Sequence, residues 1–447
     1  MKILIKNAAI VTMNQHREII NYGYLILNDG VITHIGEDFH PACNSNYDKM
    51  INAQGKVVFP GLINTHTHLF QNFLKGRGDD KPLENWWPSV IGPFAANMTP
   101  ELAYLGAMCG GLEAVRSGTT TLVDFMYAHP QPGISDATIA ALSDLGVRSV
   151  YARGFRNTGA SRGFPQNLIE SIDTVFDEVL SLKKKHENET ALTHIWLAPT
   201  AIWGLTLEAL KETRTFCSRH KVPLTMHILE TNTDNLVTQQ MYNKQAVKVF
   251  EESGILGPDL LAVHCVSVTS TEINIFKKYN VKISHNPVSN MFLASGISPV
   301  PEMLDAGLII SLGTDGAASN NSLDMIETMK ITALLHKVHS LNPTAVTAEQ
   351  VLEMATIQGA KALGLDSLIG SLEIGKRADL FIFNPLKAKP CPVSNPISSL
   401  IYSSSIDSVE TVLVNGKVIL ENGIFQTVEE ESYLQRMTDF WSNYKNQ

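Results

Sequence analysis

Eight short runs rich in β-branched and aromatic residues recur through the middle of the chain, and each is followed by a stretch with helical spacing. The first run is "KVVFPGLINTHTH" and the last is "LIISLGTD". Alternating strands and helices are typical of a parallel sheet, because parallel strands need a long crossover that is usually a helix. Eight such units over roughly 300 residues predict a (β/α)8 barrel, the TIM barrel of the α/β class.

An open, doubly wound sheet is the competing architecture. Such a sheet usually carries a glycine-rich phosphate loop after its first strand, and no loop of that kind follows the first run. The helices between the strands are well marked. In "PELAYLGAMCGGLEAVRSG", Pro100 and Glu101 fall in the first turn and Gly118 follows the end, as helix punctuation predicts. The barrel is therefore the favoured fold.

The two ends of the chain show a different pattern, with short alternating strands and turn signals. Asn28-Asp29-Gly30 and Asn415-Gly416 are hairpin dipeptides flanked by alternating apolar residues. We expect a small β-sandwich domain assembled from residues 1–56 and 369–447, the second part ending in a helix. The barrel is then expected to span residues 57–368.

Composition excludes several classes of protein. The chain has 447 residues, of which 44% are hydrophobic, and a formal net charge of -9, so a nucleic-acid partner has no electrostatic support. No apolar stretch approaches the roughly 20 residues of a membrane-spanning helix. The five cysteines are scattered without CxxC spacing, which argues against a disulfide framework and a thiolate zinc site. We expect a cytoplasmic protein with no membrane partner.

Metal-compatible side chains stand at the ends of the predicted strands. In a barrel these ends meet at one mouth, and in an extended strand alternate residues lie on the same side, about 7 Å apart. Three imidazoles and one carboxylate are the ligands of a catalytic zinc or ferrous site. The residues at these positions are His66 and His68 (first strand), His227 (fifth), His264 (sixth), His285 (seventh) and Asp315 (eighth). We predict that His66, His68, His227 and Asp315 bind one divalent ion.

Three residues are predicted to move protons. Glu230 lies in "HILE", three residues after His227, where the chain has left the strand and can place a carboxylate over the site. His264 can hydrogen-bond the attacking water, and Asp315 can accept a proton from that water. We therefore expect Glu230, His264 and Asp315 to be the catalytic residues.

Several motifs together resemble those of the amidohydrolase superfamily, in its mononuclear branch of adenosylhomocysteine deaminases, guanine-type deaminases and s-triazine hydrolases. The resemblance spans almost the whole chain. The motifs are "PGLINTHTH", "SGTTTLVDF", "HILET", "VHCVSVT", "SHNPVSNMFLASGISPV", "LGTDGAASNNSLDM" and "GSLEIGKRADLFIFN".

The resemblance implies a hydrolase that removes an amino group from a nitrogen heterocycle and releases ammonia. It implies that the four predicted ligands bind one zinc or iron ion, that Glu230 shuttles a proton to a ring nitrogen, and that His264 polarises the water. Binuclear relatives carry a bridging lysine after strand four, where this chain has "LAPTAIWG". The resemblance also implies a small-molecule substrate and a homo-oligomer, commonly a dimer.

Departures from the family pattern narrow the substrate. Members that act on nucleosides have a glutamate where this chain has Ala95, a histidine at Thr200 and a lysine at Phe292. Each change removes a polar group, so we expect a guanine-like purine, pterin, pyrimidine or triazine that carries an oxo group. Three alternatives stay open: an S-adenosylhomocysteine or methylthioadenosine deaminase, an s-triazine chloro- or alkylamino-hydrolase, and a non-catalytic scaffold barrel.

Four residues are predicted to contact the substrate. Gln71 resembles the glutamine with which guanine deaminases bind a ring amide, and an amide side chain has the donor and acceptor for that contact. Trp87, beside Trp86, lies in the long segment after the first strand and can stack on a flat ring. Arg153, with Arg156 close behind it, follows strand three and can bind a carbonyl or a carboxylate. His285 completes the set.

Overall fold

The computed structural model describes residues 1–37, 46–188 and 191–444. The chain begins with strands β1 (Lys2–Val11), β2 (Ile19–Asn28), β3 (Val31–Glu37), β4 (Lys49–Asn52) and β5 (Val57–Pro60). Eight further strands follow: β6 (Leu62–Thr67), β7 (Thr119–Met126), β8 (Arg148–Phe155), β9 (Thr193–Pro199), β10 (Leu224–Ile228), β11 (Leu260–His264), β12 (Lys282–His285) and β13 (Ile310–Leu312). The last four are β14 (Leu380–Phe383), β15 (Val409–Val414), β16 (Lys417–Glu421) and β17 (Ile424–Phe425).

Strands β6 to β13 form one parallel sheet in which each strand pairs with its successor in the chain. The sheet curls round until its two edge strands meet. There the backbone N–H of Asp315 donates to the carbonyl of His66 at 3.0 Å, and the hydroxyls of Thr65 and Ser311 lie 2.9 Å apart. The predicted (β/α)8 barrel is confirmed, and its closure places Asp315 directly beside the first strand.

The helices cover the outside of the barrel and connect its strands. The helix over Pro100–Arg116 confirms the prediction for that segment, and the Thr99 hydroxyl caps it by accepting from the Leu102 N–H. The helices are α1 (Leu83–Trp86), α2 (Gly92–Ala95), α3 (Pro100–Arg116), α4 (Ile134–Leu145), α5 (Ile172–His186), α6 (Leu207–His220), α7 (Thr233–Tyr242), α8 (Ala246–Ser253), α9 (Ser270–Lys278), α10 (Pro287–Phe292), α11 (Val300–Asp305), α12 (Met325–Ser340), α13 (Ala348–Met354), α14 (Ile357–Leu363), α15 (Pro396–Ser403) and α16 (Glu430–Tyr444).

The strands from the two ends of the chain form a second, mixed sheet of nine described strands. Its order is β17-β16-β15-β14-β5-β1-β2-β3, with β4 paired to β1. Both predicted hairpin turns are present: Asp29 and Gly30 join β2 to β3, and Asn415 and Gly416 join β15 to β16, all with positive φ. The expectation of a small β domain built from both termini is thus confirmed. The residue boundaries given for it remain a prediction.

Polar and aromatic contacts fasten the second sheet to the barrel. Arg148, at the start of β8, donates to both carboxylate oxygens of Asp379, with Nε to Oδ2 at 2.8 Å and Nη2 to Oδ1 at 3.1 Å. Both side chains are buried. Phe59 of β5 and Phe381 of β14 stack within the second sheet, with ring centroids 5.4 Å apart, and both rings belong to the hydrophobic core that includes Leu122 of the barrel strand β7. A buried ion pair and a shared hydrophobic core therefore join the two sheets.

The final helix, α16, packs beside the wall of the barrel mouth. Phe440 contacts the ring of Phe73, which lies in the 3₁₀ turn Leu69–Leu74 after β6, with centroids 4.8 Å apart. Among the described residues, no helix is long and apolar enough to span a membrane. The cysteines at 109, 217, 265 and 391 are free thiols, and Cys43 lies outside the described residues.

Candidate active site

The predicted ligands and proton-transfer residues converge at the carboxyl ends of the barrel strands. His66 lies near the end of β6, and His68 follows that strand directly. Non-glycine residues with positive φ cluster at this rim: Leu229 (φ 50), His264 (φ 72) and Asp315 (φ 62). Such backbone strain persists only where the surrounding structure imposes it, and it concentrates at functional sites. The strained residues lie at the ends of β10, β11 and β13, and these ends together with that of β6 bring side chains from four strands into one space.

Four of these side chains form a compact cluster. Oδ1 of Asp315 lies 3.3 Å from Nε2 of His66 and 3.4 Å from Nε2 of His68. Nε2 of His68 lies 3.2 Å from Nε2 of His227. The ligand atoms of the three histidines all lie within 4.8 Å of one another. The structure thus brings together the four residues predicted to be ligands.

The hydrogen bonds of the imidazoles indicate what the cluster is built to hold. Nδ1 of His68 donates to the carbonyl of Phe125 at 2.6 Å, and Nδ1 of His227 donates to the carbonyl of Thr200 at 2.7 Å. A carbonyl oxygen only accepts, so in each neutral ring the proton is on Nδ1 and Nε2 carries a lone pair. Two lone pairs 3.2 Å apart repel each other, and a shared cation removes that repulsion.

The environment keeps these imidazoles neutral. Burial lowers the pKa of His66 to about 4 and that of His68 to about 3, and it lowers the pKa of His227 well below the usual value. Both ring nitrogens of His66 are buried without a hydrogen-bond partner among the described residues. Neutral imidazole is the form that binds a metal. The donor set therefore fits one divalent cation.

Asp315 is held as a carboxylate. Burial favours its neutral form, but the neighbouring side chains of His66, His68 and His264 hold its pKa well below the usual range. The Ser289 hydroxyl donates to Oδ2 at 2.6 Å, and the Gly316 N–H donates to Oδ1 at 2.7 Å. These contacts fix the orientation of the carboxylate.

Glu230 and His264 face each other beside the cluster. Nε2 of His264 lies 3.7 Å from Oε2 of Glu230 and 3.9 Å from Oδ2 of Asp315. Nδ1 of His264 lies 2.9 Å from Oδ1 of Asn290, which fixes the ring. Burial raises the pKa of Glu230, opposed by His264. A carboxyl group with a raised pKa is suited to give and take a proton near neutral pH.

A cavity of about 260 Å³ opens above the cluster. Its floor contains predicted ligands and both proton-transfer partners, and its walls are largely aromatic. The lining includes His68, His227, Asp315, Glu230, His264, Trp86, Trp87, Tyr127, Arg156, Phe164, Trp203, Asp234 and Glu84. The arrangement can accept a flat ring against the aromatic wall with one edge over the cluster.

Of the four predicted substrate contacts, only Trp87 lies in the cavity wall. Arg153 faces away and is fully paired: it donates to Glu170 at 2.5 and 3.0 Å and to Glu178 at 2.9 Å. Glu170 in turn donates its backbone N–H to the carbonyl of Arg156 at 2.9 Å. Arg153 therefore anchors the loop after β8, and Arg156 and Arg162 of that loop reach the cavity.

Gln71 and His285 lie behind the lining residues. Nε2 of Gln71 donates to the Tyr127 hydroxyl at 2.9 Å, so the amide supports a wall residue. His285 is buried against His336, with their Nε2 atoms 3.1 Å apart. Neither side chain is part of the cavity lining. Both side chains therefore lie behind the cavity lining, and not at its surface where the sequence predicted a contact with the substrate.

Several lining residues were absent from the prediction, among them Tyr127 and Glu84. Tyr127 directly follows β7, and its ring contacts His68 with centroids 4.8 Å apart. The same strand-end rule that selected the histidines also selects this position. Glu84 lies at the rim, where it accepts from the Thr233 hydroxyl at 3.4 Å. No sequence signal marks Glu84, because it belongs to the long segment after β6.

Comparison with known proteins identifies the family. The sequence profile of the amidohydrolase family matches residues 57–419. The chain belongs to the amidohydrolase family. Among curated relatives, a 5'-deoxyadenosine deaminase from Methanobrevibacter smithii is 35% identical, covering 97% of this chain and 96% of that protein. A 5-methylthioadenosine/S-adenosylhomocysteine deaminase from Thermococcus kodakarensis is 37% identical over 94% of each chain.

Solved amidohydrolase structures share this fold. An adenosine deaminase from Xanthomonas campestris with bound zinc has a TM-score of 0.93 and 26% identity, covering 100% of this chain and 99% of that chain. An atrazine chlorohydrolase from Arthrobacter aurescens complexed with zinc has a TM-score of 0.91 and 25% identity, covering 98% and 99%. These comparisons confirm the prediction of an amidohydrolase that acts on carbon–nitrogen bonds of amino-substituted heterocycles.

Proposed function

We propose that this amidohydrolase removes an amino group hydrolytically from a nitrogen heterocycle, with His66, His68, His227 and Asp315 as the ligands of one divalent ion. The observation that carries the proposal is the pair of facing lone pairs on His68 and His227, 3.2 Å apart. When bound, the ion would supply a Lewis acid and lower the pKa of a coordinated water toward 7.

Glu230 is the proposed proton shuttle. Its pKa is raised by burial, so the carboxyl group can protonate a ring nitrogen of the heterocycle as water adds to the carbon that bears the amino group. Protonation removes the negative charge that addition would otherwise build on the ring. The same group, once ionised, can receive the proton that Asp315 took from the water and pass it to the departing amino group, and it regains its own proton from the hydroxyl left on the ring carbon.

His264 and Asp315 hold the attacking water in place. Their side chains lie 3.9 Å apart and Glu230 lies 3.7 Å from His264. A water between these three groups finds acceptors in the Asp315 carboxylate and a fixed imidazole, beside the carboxyl group of Glu230. Asp315, whose carboxylate accepts from the Ser289 hydroxyl, is the group that accepts the first proton from it.

The test separates ion binding from chemistry. The protein is loaded with zinc, its metal content is measured by mass spectrometry, and ammonia release is followed for guanine, isoguanine, cytosine, pterins and aminotriazines. We expect about one zinc per chain in the wild type. His68→Gln should lose the ion, whereas Glu230→Gln should keep it and lose about 10²–10⁴-fold in turnover.

Glu302→Gln, on the surface helix α11, is the matched control for Glu230→Gln and should change neither quantity. The proposal fails if the wild type binds no ion, or if Glu230→Gln releases ammonia at the wild-type rate.

A purine nucleoside is the second candidate substrate. The relatives named 5'-deoxyadenosine deaminase and 5-methylthioadenosine/S-adenosylhomocysteine deaminase favour it. Ala95, at the position of the glutamate in nucleoside-deaminating members, is buried outside the cavity lining. Glu84, at the rim, offers a carboxylate that could bind a sugar diol instead. Including 5'-deoxyadenosine and methylthioadenosine in the screen, together with Glu84→Gln, distinguishes the two substrate classes.

Zinc is the proposed ion, because two similar solved proteins are described with zinc. Iron loading in parallel with zinc tests this choice. A cytoplasmic site of action and a homodimer remain part of the proposal, and light scattering of the purified chain tests the second of these.

A further inference from the structure

Arg156 is a buried cation in the cavity wall, and two of its guanidinium nitrogens have no hydrogen-bonding partner in the described parts of the chain. It follows the end of β8, is 2% exposed, and lines the cavity. Its guanidinium lies over the rings of Phe164 at 4.5 Å, Trp87 at 4.8 Å and Tyr127 at 5.4 Å. Among the described residues, nothing accepts a hydrogen bond from its Nε or Nη1 atoms.

Burial of an unpaired guanidinium is costly, so its presence calls for an explanation. Burial lowers the pKa of Arg156 to about 10, which leaves the side chain cationic at neutral pH. The three aromatic faces stabilise the charge by cation–π contact, but they do not accept in-plane N–H hydrogen bonds. The donors of Arg156 are therefore available to a group that enters the cavity.

Arg153 shows that the fold itself can pair such a residue. Arg153 lies three residues earlier and is equally buried, yet Glu170 and Glu178 occupy its donors. Arg153, near the end of β8, is thus satisfied by the protein, whereas Arg156, directly after the strand, is not. The difference points to a ligand for the second.

The position of Arg156 limits what that ligand is. One ring, Tyr127, separates Arg156 from the predicted ligand His68, with centroid distances of 5.4 Å to the guanidinium carbon and 4.8 Å to the imidazole. The cavity of about 260 Å³ is below the roughly 300–1,000 Å³ of sites for drug-sized ligands. A flat heterocycle fits these dimensions beside Arg156.

We infer that Arg156 donates hydrogen bonds to an exocyclic carbonyl oxygen of the substrate ring, and that the substrate is an amino-heterocycle carrying such an oxo group. This inference rests on the proposed deaminase function. Arg156 is then a specificity-determining residue: the oxo group satisfies its donors, and a ring without that oxygen leaves them buried and unpaired. A carboxylate on a substituent offers the same acceptor chemistry, and the experiment distinguishes the two sources.

The experiment compares substrates that differ in one oxygen atom. Ammonia release is measured for guanine against 2-aminopurine, isoguanine against adenine, and cytosine against 4-aminopyrimidine. S-adenosylhomocysteine against methylthioadenosine forms the arm for a carboxylate on a substituent. We expect the wild type to prefer the oxo member of at least one ring pair by 10-fold or more in kcat/KM.

Arg156→Met should abolish that preference, with a loss of about 10–100-fold for the oxo substrate and little change for its partner. Arg156→Lys keeps the charge and should retain part of the preference, and it replaces the methionine variant if that one fails to fold. Arg219→Met, on the outer face of α6, is the control and should leave every ratio unchanged.

Two results overturn the inference. The first is an oxo preference that is the same in wild type and Arg156→Met. The second is a preference that depends on Arg156 only in the pair of S-adenosylhomocysteine and methylthioadenosine, which would assign the acceptor to the substituent.

Failure of the deaminase function gives a different result. If no substrate releases ammonia, binding of the products xanthine and uracil to the zinc-loaded protein is measured by calorimetry. Binding that weakens at least 10-fold in Arg156→Met supports the role of Arg156, although the deaminase proposal has failed. Equal binding by both proteins overturns the inference as well.

Discussion

The ion pair between Arg148 and Asp379 is expected to be a major attachment between the barrel and the terminal sheet. Both side chains are almost completely buried, and the pair is bidentate. Replacing Arg148 with methionine removes the cation and keeps much of the apolar stem. The Asp379 carboxylate then remains buried without its partner, and that situation destabilises a protein by about 3–5 kcal/mol.

The size of the shift in melting temperature follows from chain length. The entropy of unfolding is about 2.1 cal/mol/K per residue. If all 447 residues unfold in a single transition, the total entropy of unfolding is about 0.9 kcal/mol per kelvin. Arg148→Met should therefore lower the Tm by about 3–5 °C in scanning calorimetry. The proposed active site is at the opposite end of the strands, so turnover at 25 °C should not change.

A double-mutant cycle tests whether the effect comes from the uncompensated charge. Asp379→Asn keeps an acceptor for the Asn415 N–H, which donates to this side chain at 2.8 Å. Combined with Arg148→Met it leaves no buried charge, so the double variant should be more stable than the sum of the single losses predicts. Strictly additive losses, or a Tm within about 1 °C of the wild type for Arg148→Met, would refute the reasoning.

Three further changes test other parts of the fold. Asp324 caps α12, and burial raises its pKa to about 6 from 3.8. Ionisation of Asp324 therefore opposes folding increasingly as the pH rises through that range. Asp324→Asn keeps the cap acceptor and should stabilise the protein by about 1–2 kcal/mol at pH 8 and by less at pH 5. An equal gain in Tm at both pH values would contradict this. Asp234 accepts from the Leu229 N–H at 2.7 Å. Asp234→Ala should therefore disorder the turn before Glu230, the proposed proton shuttle, and lower kcat about 10-fold with unchanged zinc content. An unchanged kcat would show that the turn keeps its conformation without Asp234. A Cβ on Gly316 would lie 1.9 Å from Gln71 Oε1, so Gly316→Ala should cost about 1–3 kcal/mol in chemical denaturation, and a wild-type midpoint would exclude that clash.

Residues at the ends of strands could be predicted from sequence because barrel geometry does the assembly. Once the runs are recognised as parallel strands, His66, His227 and Asp315 must share one rim, although they are far apart in the chain. Their convergence at 3–5 Å in the structure needs no further sequence information. The same holds for the hairpin turns, where local dipeptides determine the backbone.

The direction of a loop side chain could not be predicted in that way. Arg153 and Arg156 both belong to "ARGFR", and nothing local distinguishes them. Glu170 and Glu178 determine the outcome, because they bind Arg153 from α5 and the segment before it. His285 is a similar case, since its partner His336 comes from α12. Long-range pairing overrides the strand-end rule at these positions.

The pairing of β5 with β14 has a consequence for biosynthesis. Pro60 lies opposite Leu380, so about 320 residues must be translated after β5 before its neighbour exists. At about 5–20 residues per second, the ribosome needs about 16–64 s for that stretch. During this time β5 exposes an unpaired edge of the kind that recruits other chains. A nascent chain of this protein is therefore a strong candidate client for chaperones until β14 emerges.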